Sequence, residues 1–174
     1  MTALMLLFLL QTLKQVSLLL MRKLLQCFSK AERQEKFIRN LENHNNCCQT
    51  VANTFCEEYG ISVEQMSCLT AGFGGGMSLG EKCGAVTAMF LIAGLDYGFF
   101  DGADEEKKAG IKARIARLNS RFLEEFGCSD CNTLKANIDA GKYDLSPVQS
   151  RGLRPCVLFM EKACDILEEE LGIW

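Results

Sequence analysis

The sequence predicts an all-α fold, a single compact bundle of about six helices around a central apolar helix, with a glycine-rich loop just before that helix. Three observations predict it. From Lys30 onward apolar residues recur at helical spacing and nowhere alternate long enough for a sheet strand. Only two prolines interrupt 174 residues. Start and stop signals punctuate the chain at Asn45 and Asn46, Gly60, Ser62 with Gln65, Gly127 and Pro155.

A polar first helix runs through Ala31 to Glu42. The second, capped by Asn45 or Asn46, carries a stripe of Cys48, Val51, Ala52, Phe55, Cys56 and Tyr59 and ends at Gly60. Ser62 and Gln65 form a capping box that starts a short helix with Met66, Leu69 and Thr70. The stretch Gly72-Phe73-Gly74-Gly75-Gly76-Met77-Ser78-Leu79-Gly80 is a loop whose glycines allow positive φ and close backbone approach. Cys83 to Tyr97 is apolar nearly all round, which is why it is expected at the centre. Asp104 to Phe126 is amphipathic: Ile111, Ile115, Leu118 and Phe122 point inward, and a mixed basic and acidic surface faces out. Gly127 closes it. A short helix begins near Cys131, a loop runs from Gly141 to Arg154, and Pro155 opens a terminal helix through Leu171.

With 48% apolar and 24% charged residues, the chain can bury one ordinary core. The expected organisation is an apolar N-terminal extension over residues 1–29 and a cysteine-rich helical domain over 30–174. A net charge of -3 gives no basic field for phosphate backbones, so a nucleic-acid partner is not expected. In the extension no positive charge precedes the apolar run Ala3 to Leu10 and no small-x-small cleavage pattern follows it, which argues against a secretory leader. Lys14 in mid-segment argues against a spanning helix. The stripe Leu6, Leu9, Leu10, Leu13, Val16, Leu20 and Leu24 fits an interfacial or docking helix, the alternative being a translation start at Met21. Membrane contact is therefore expected only if this extension is retained.

Ten cysteines set inside amphipathic stretches, rather than in a short loop-rich framework, point to thiols kept reduced or metal-bound in the cytoplasm. Cys47, Cys83, Cys131 and Cys156 each fall in the first turn of an expected helix. There, unpaired N–H groups and the partial positive charge of the helix favour thiolate, the form that ligates metals and attacks disulfides. If the four starts converge, they make a tetrathiolate site for an iron–sulfur cluster or zinc, or two pairs of redox thiols. Cys48, Cys56, Cys68 and Cys164 read as core filling. Cys128, in a C-x-x-C with Cys131, reads as accessory.

The runs Asn46-Cys47-Cys48-Gln49-Thr50-Val51, Gly72-Phe73-Gly74-Gly75-Gly76-Met77 and Cys83-Gly84-Ala85-Val86-Thr87, then Cys131 with Leu134, and Cys156, carry a resemblance. Over roughly Lys36 to Leu171 the chain resembles the family of redox-active proteins named for the cysteine pattern C_GCAxxG_C_C. The resemblance implies an all-helical, redox-active protein whose family cysteines are the four at the helix starts. Two features depart from the pattern: Gly84 follows Cys83 rather than preceding it, and Ala88 stands where a glycine is common.

The leading expectation is an electron carrier or oxidoreductase. Cys47, Cys83, Cys131 and Cys156 hold an iron–sulfur cluster or cycle between dithiol and disulfide, Gly74, Gly75, Gly76 and Gly84 line the cofactor side, and a redox partner protein exchanges electrons. The alternative is a structural zinc module without catalysis. A third reading is an enzyme with Cys83 as nucleophile beside the glycine loop. A nucleotide loop does not fit, because Lys82 falls one place late and no hydroxyl follows it. The single histidine, His44, gives no hydrolytic triad. Self-association is compatible with the sequence.

Overall fold

The computed structural model describes residues 30–172, so the apolar extension expected over residues 1–29 lies outside the described residues. The chain divides into two units. The compact one begins at Lys36, within a helical run over 30–42, here α1. There follow α2 (Cys47–Phe55), α3 (Val63–Thr70), α4 (Gly84–Tyr97), α5 (Glu105–Phe126), α6 (Cys131–Asp139), α7 (Ser146–Gln149) and α8 (Val157–Leu171). The fold is all-α. Among the described residues the one sheet-like pairing is an isolated antiparallel bridge, Lys82 with Asp130. No described helix is long and apolar enough to cross a membrane.

The start of α2 shows how local sequence sets the geometry. Asn46 is extended, and its Oδ1 accepts from the N–H groups of Cys48 and Gln49, while Gln49 Oε1 accepts from the Asn46 N–H at 2.9 Å. The Asn46 amide also donates to Ala71 O at 3.0 Å, fastening α2 to the turn after α3. Asn46→Ala should therefore cost about 1–2 kcal/mol and lower the melting temperature by several degrees, readable by thermal denaturation.

The core is one cluster. Val51, Phe55, Val86, Met89, Ile92, Leu118, Phe122, Met160 and Leu167 are all fully buried in it. Helix α4 packs against α2, α5 and α8. Its last turn surfaces at Leu95, 38% exposed, so its apolar character extends beyond what it buries. Three further details differ from the sequence expectation. Ile111 and Ile115 are only partly buried, and Phe126 joins the core in their place. The loop from Gly141 to Arg154 contains the single-turn α7. The basic surface of α5 is not merely solvated: Arg117 pairs with Glu170 and Arg121 with Glu169, joining α5 to α8.

The glycine-rich segment is the least ordinary backbone. Gly75, Gly76, Met77 and Ser78 have φ of 62°, 67°, 57° and 58°, a left-handed turn closed by the Glu81 N–H on Gly76 O at 3.1 Å. Left-handed geometry costs about 1–2 kcal/mol per side-chain-bearing residue, so Met77 and Ser78 are held there by what surrounds them.

Candidate functional site

Each of the four predicted cysteines sits at a helix start. Cys47 is the first residue of α2 and Cys131 of α6, while Cys83 and Cys156 are the N-cap residues of α4 and α8. The left-handed turn delivers the chain into a short extended segment, Glu81 to Cys83, which pairs antiparallel with Ser129 to Cys131. The Cys83 N–H donates to Ser129 O at 2.8 Å and the Cys131 N–H to Glu81 O at 2.6 Å. Side chains alternate along paired segments, so Cys83 and Cys131 share one face and Lys82 and Asp130 the other. Lys82 ties the two segments to each other and to α5 by donating to Ser129 Oγ at 2.7 Å and Asn119 Oδ1 at 3.2 Å.

Cys47 reaches the same place because Gly84 has no side chain. A Cβ there would lie 2.5 Å from Cys47 Sγ and 2.8 Å from Phe73 O. Gly76 is equally confined, its would-be Cβ 2.7 Å from Glu81 N and O and from Cys131 Cβ, and Gly74 lies against Asn46. The result is a half-open cavity of about 180 Å³ whose wall includes Cys47, Cys83, Cys131 and Cys156. Asn46, Gly75, Leu134, Lys135, Arg154 and Phe159 complete it. Of the four predicted glycines, Gly75 lines the cavity, whereas Gly74, Gly76 and Gly84 stand behind it as close-packing positions.

The remaining cysteines lie elsewhere. Cys48, Cys56 and Cys164 are buried, but Cys68 is exposed, which corrects the expectation that it fills core. Cys128 is not on the cavity wall. It belongs to a small cluster in which Asn137 Nδ2 donates to Cys128 Sγ at 3.6 Å and to Tyr143 Oη at 3.1 Å. His44 does not line the cavity either.

Burial dominates the electrostatics. It pushes the Cys83 thiol up to about 12, the Ala85 and Val86 N–H groups pulling back and the Cys47 and Cys131 thiols pushing further. Burial also raises Cys131 and Cys156, against Lys135 at both and Arg154 at Cys156. The sequence expectation that helix starts make these three thiols acidic is thus corrected: the N–H groups are present, but removing the sulfur from water outweighs them. Two consequences can be measured. Alkylation of Cys83 by iodoacetamide should keep rising with pH until about 12, as its thiolate forms. Folding stability should be complete below 9.0, the ordinary value the unfolded chain keeps, and fall as pH climbs toward about 12, because the unfolded state then binds fewer protons. Cys83→Ala should lessen that alkaline fall in urea titrations at several pH values, leaving the part that burial of Cys48, Cys56 and Tyr59 contributes.

For a metal, the donor chemistry and the geometry pull apart. Four thiols are the usual ligand set of an iron–sulfur cluster. A single zinc ion needs its sulfurs about 2.3 Å from one point. Among the described residues no group of three or more His, Cys, Asp or Glu side chains is arranged to hold one ion. The sulfurs instead stand around a space.

Sequence reasoning missed Lys135 and Arg154. The signal for Lys135 was its place one helical turn beyond Cys131, and for Arg154 its place two residues before Cys156. Fold and cavity together define an all-α protein with a four-cysteine pocket assembled from helix starts. The sequence profile of the family described as "Putative redox-active protein (C_GCAxxG_C_C)" matches residues 45–170, and the chain belongs to that family. No curated protein and no solved structure matches the chain.

Proposed function

We propose that the four-cysteine cavity is a redox centre working as a dithiol–disulfide couple, passing two electrons to a partner disulfide. The observation that carries this reading is the convergence of Cys47, Cys83, Cys131 and Cys156 on one cavity from four separate helix starts. Cys47 is the hub: it stands close enough to act electrostatically on Cys83, Cys131 and Cys156 alike, raising each of them. It is half-buried, as Cys156 is, whereas Cys83 and Cys131 are buried, so Cys47 alone combines access with a place beside all three. Cys47 therefore meets the incoming disulfide and a buried neighbour resolves. The Cys47 thiol gives its proton to solvent, and its sulfur attacks one sulfur of the partner, forming a mixed disulfide and releasing the other half as a thiolate. The Cys83 thiol, too buried to ionise by itself near neutral pH, passes its proton to the thiolate just released as its sulfur attacks Cys47 Sγ, forming the Cys47–Cys83 disulfide and releasing the second thiolate. The protein dithiol is oxidised and the partner reduced by two electrons. Such a couple fits a reducing cell interior.

The donor set favours one second reading, an iron–sulfur cluster held by the same four cysteines. When bound, such a cluster supplies one-electron transfer. In that reading burial excludes water from the sulfurs, and Lys135 and Arg154 offset the negative charge of four thiolates. A structural zinc is less favoured, since the sulfurs are not closed around one point.

Anaerobic purification followed by metal and sulfide analysis, then disulfide mapping after oxidation, tests the proposal. Metal-free protein that forms a disulfide between Cys47 and one of the other three supports the dithiol couple. Iron with acid-labile sulfide selects the cluster. Bound zinc with thiols that no oxidant changes would overturn both.

A further inference from the structure

We infer that the oxidant taken by this cavity is a small carboxylate-bearing disulfide, selected by Lys135 and Arg154 at the cavity rim. The inference rests on the dithiol reading above and names its substrate class.

The protein as a whole is acidic, with a net charge of -3, yet the charged side chains that line the cavity are Lys135 and Arg154, and no carboxylate lines it. Arg114, Arg117, Arg121 and Arg151 each pair with a carboxylate, whereas neither Lys135 nor Arg154 has an acidic partner among the described residues. Arg154 is held in place by one nitrogen, Nη2, which donates to Asn45 O at 2.9 Å and lies 4.0 Å from Met160 Sδ. The rest of its guanidinium remains available to an incoming group. The acid that acts on a cavity thiol, Asp130 on Cys131, has its carboxylate engaged by the Thr133 N–H and hydroxyl at the start of α6.

Size and surface narrow the class further. Cys83 and Cys131 are 5% and 6% exposed, so the reacting bond must enter the recess rather than meet the thiols at a flat surface. Leu134 and Phe159 give the recess an apolar wall. A molecule with a compact disulfide body and carboxylates left at the rim satisfies both surfaces, while a cationic disulfide would set like charges together.

The test uses the reduced full-length chain and two sets of probes. In the first, Cys47 is alkylated with iodoacetate or iodoacetamide, and the modified peptide is quantified by mass spectrometry. Two unit charges at the rim should bias the iodoacetate-to-iodoacetamide rate ratio about tenfold. That bias should be lost in Lys135→Gln/Arg154→Gln, be partly lost in the single variant Lys135→Gln, and vanish in about 1 M salt, where screening acts within about 3 Å. An unchanged ratio would overturn the inference. In the second set, oxidation to the Cys47–Cys83 disulfide is followed with three aliphatic disulfides, so that an activated aromatic leaving group does not set the order: anionic 3,3′-dithiodipropionate, neutral 2-hydroxyethyl disulfide and cationic cystamine. The expected order is anionic, neutral, cationic. Oxidation by all three without regard to charge removes the substrate class and leaves the dithiol reading standing. Charge-biased alkylation without oxidation by any of them removes the dithiol reading, and the substrate class with it.

Discussion

Replacing Cys47 by serine should slow reduction of a small disulfide by at least about a hundredfold while leaving the fold intact. Cys47 is one of two half-buried thiols of the cavity, with Cys156, and it is the one that acts on each of the other three. Burial raises the thiols that remain, Cys83 to about 12, so few of them are thiolate near neutral pH. Serine keeps the size of the side chain at the first position of α2, and the cap there belongs to Asn46, so the melting temperature should move little. Stopped-flow reduction of a chromogenic disulfide reads the rate. Cys48→Ala provides the contrast. Cys48 is fully buried in the core, so this variant should lose about 1 kcal/mol of stability and retain most of the exchange rate. A Cys47→Ser protein as fast as the parent would remove Cys47 from the mechanism.

The second large effect is expected at Gly76. It has φ of 67°, and a Cβ there would lie 2.7 Å from Glu81 N, Glu81 O and Cys131 Cβ. Two of those three atoms are backbone, in the segment that pairs Glu81–Cys83 with Ser129–Cys131, and cannot swing aside. Gly76→Ala should cost about 3 kcal/mol or more in urea unfolding, about 1–2 of it from left-handed geometry alone. It should also shift Cys83 relative to Cys131, impairing oxidation in whatever fraction still folds. Gly75→Ala isolates the backbone part of the effect. Gly75 has φ of 62° but nothing within 4 Å of its would-be Cβ, so only about 1–2 kcal/mol should be lost. Equal losses at the two positions would show that the close approach at Gly76 does not hold the site together.

The helical class and the helix starts were legible because their signals are local. Ser62 with Gln65, Asp104 and Gly127 cap the helices where a reader of the sequence expects them. The same legibility led to the four cysteines, since a helix start can be recognised from a few neighbouring residues. What the sequence did not show was non-local. The Lys82–Asp130 bridge joins segments 48 residues apart by number and is only one pair long, too short to leave an alternating pattern. The pKa direction was misread because the helix-start N–H groups are written in the sequence, whereas burial depends on how α2, α4, α6 and α8 come together. Beyond their spacing from Cys131 and Cys156, nothing in the sequence sets Lys135 and Arg154 apart from the other basic residues, because only the assembled cavity distinguishes them.

The most direct test of the central claim, that these four cysteines form one redox centre, is a redox titration of anaerobically purified protein beside its Cys47→Ser variant. The range from about -320 to about -120 mV covers biological thiol couples. A reversible two-electron transition is expected in the parent, with Cys47 linked to another cavity cysteine at the oxidised end, and its loss in the variant. A parent protein with no reversible transition, or one whose transition survives unchanged in Cys47→Ser, would contradict it.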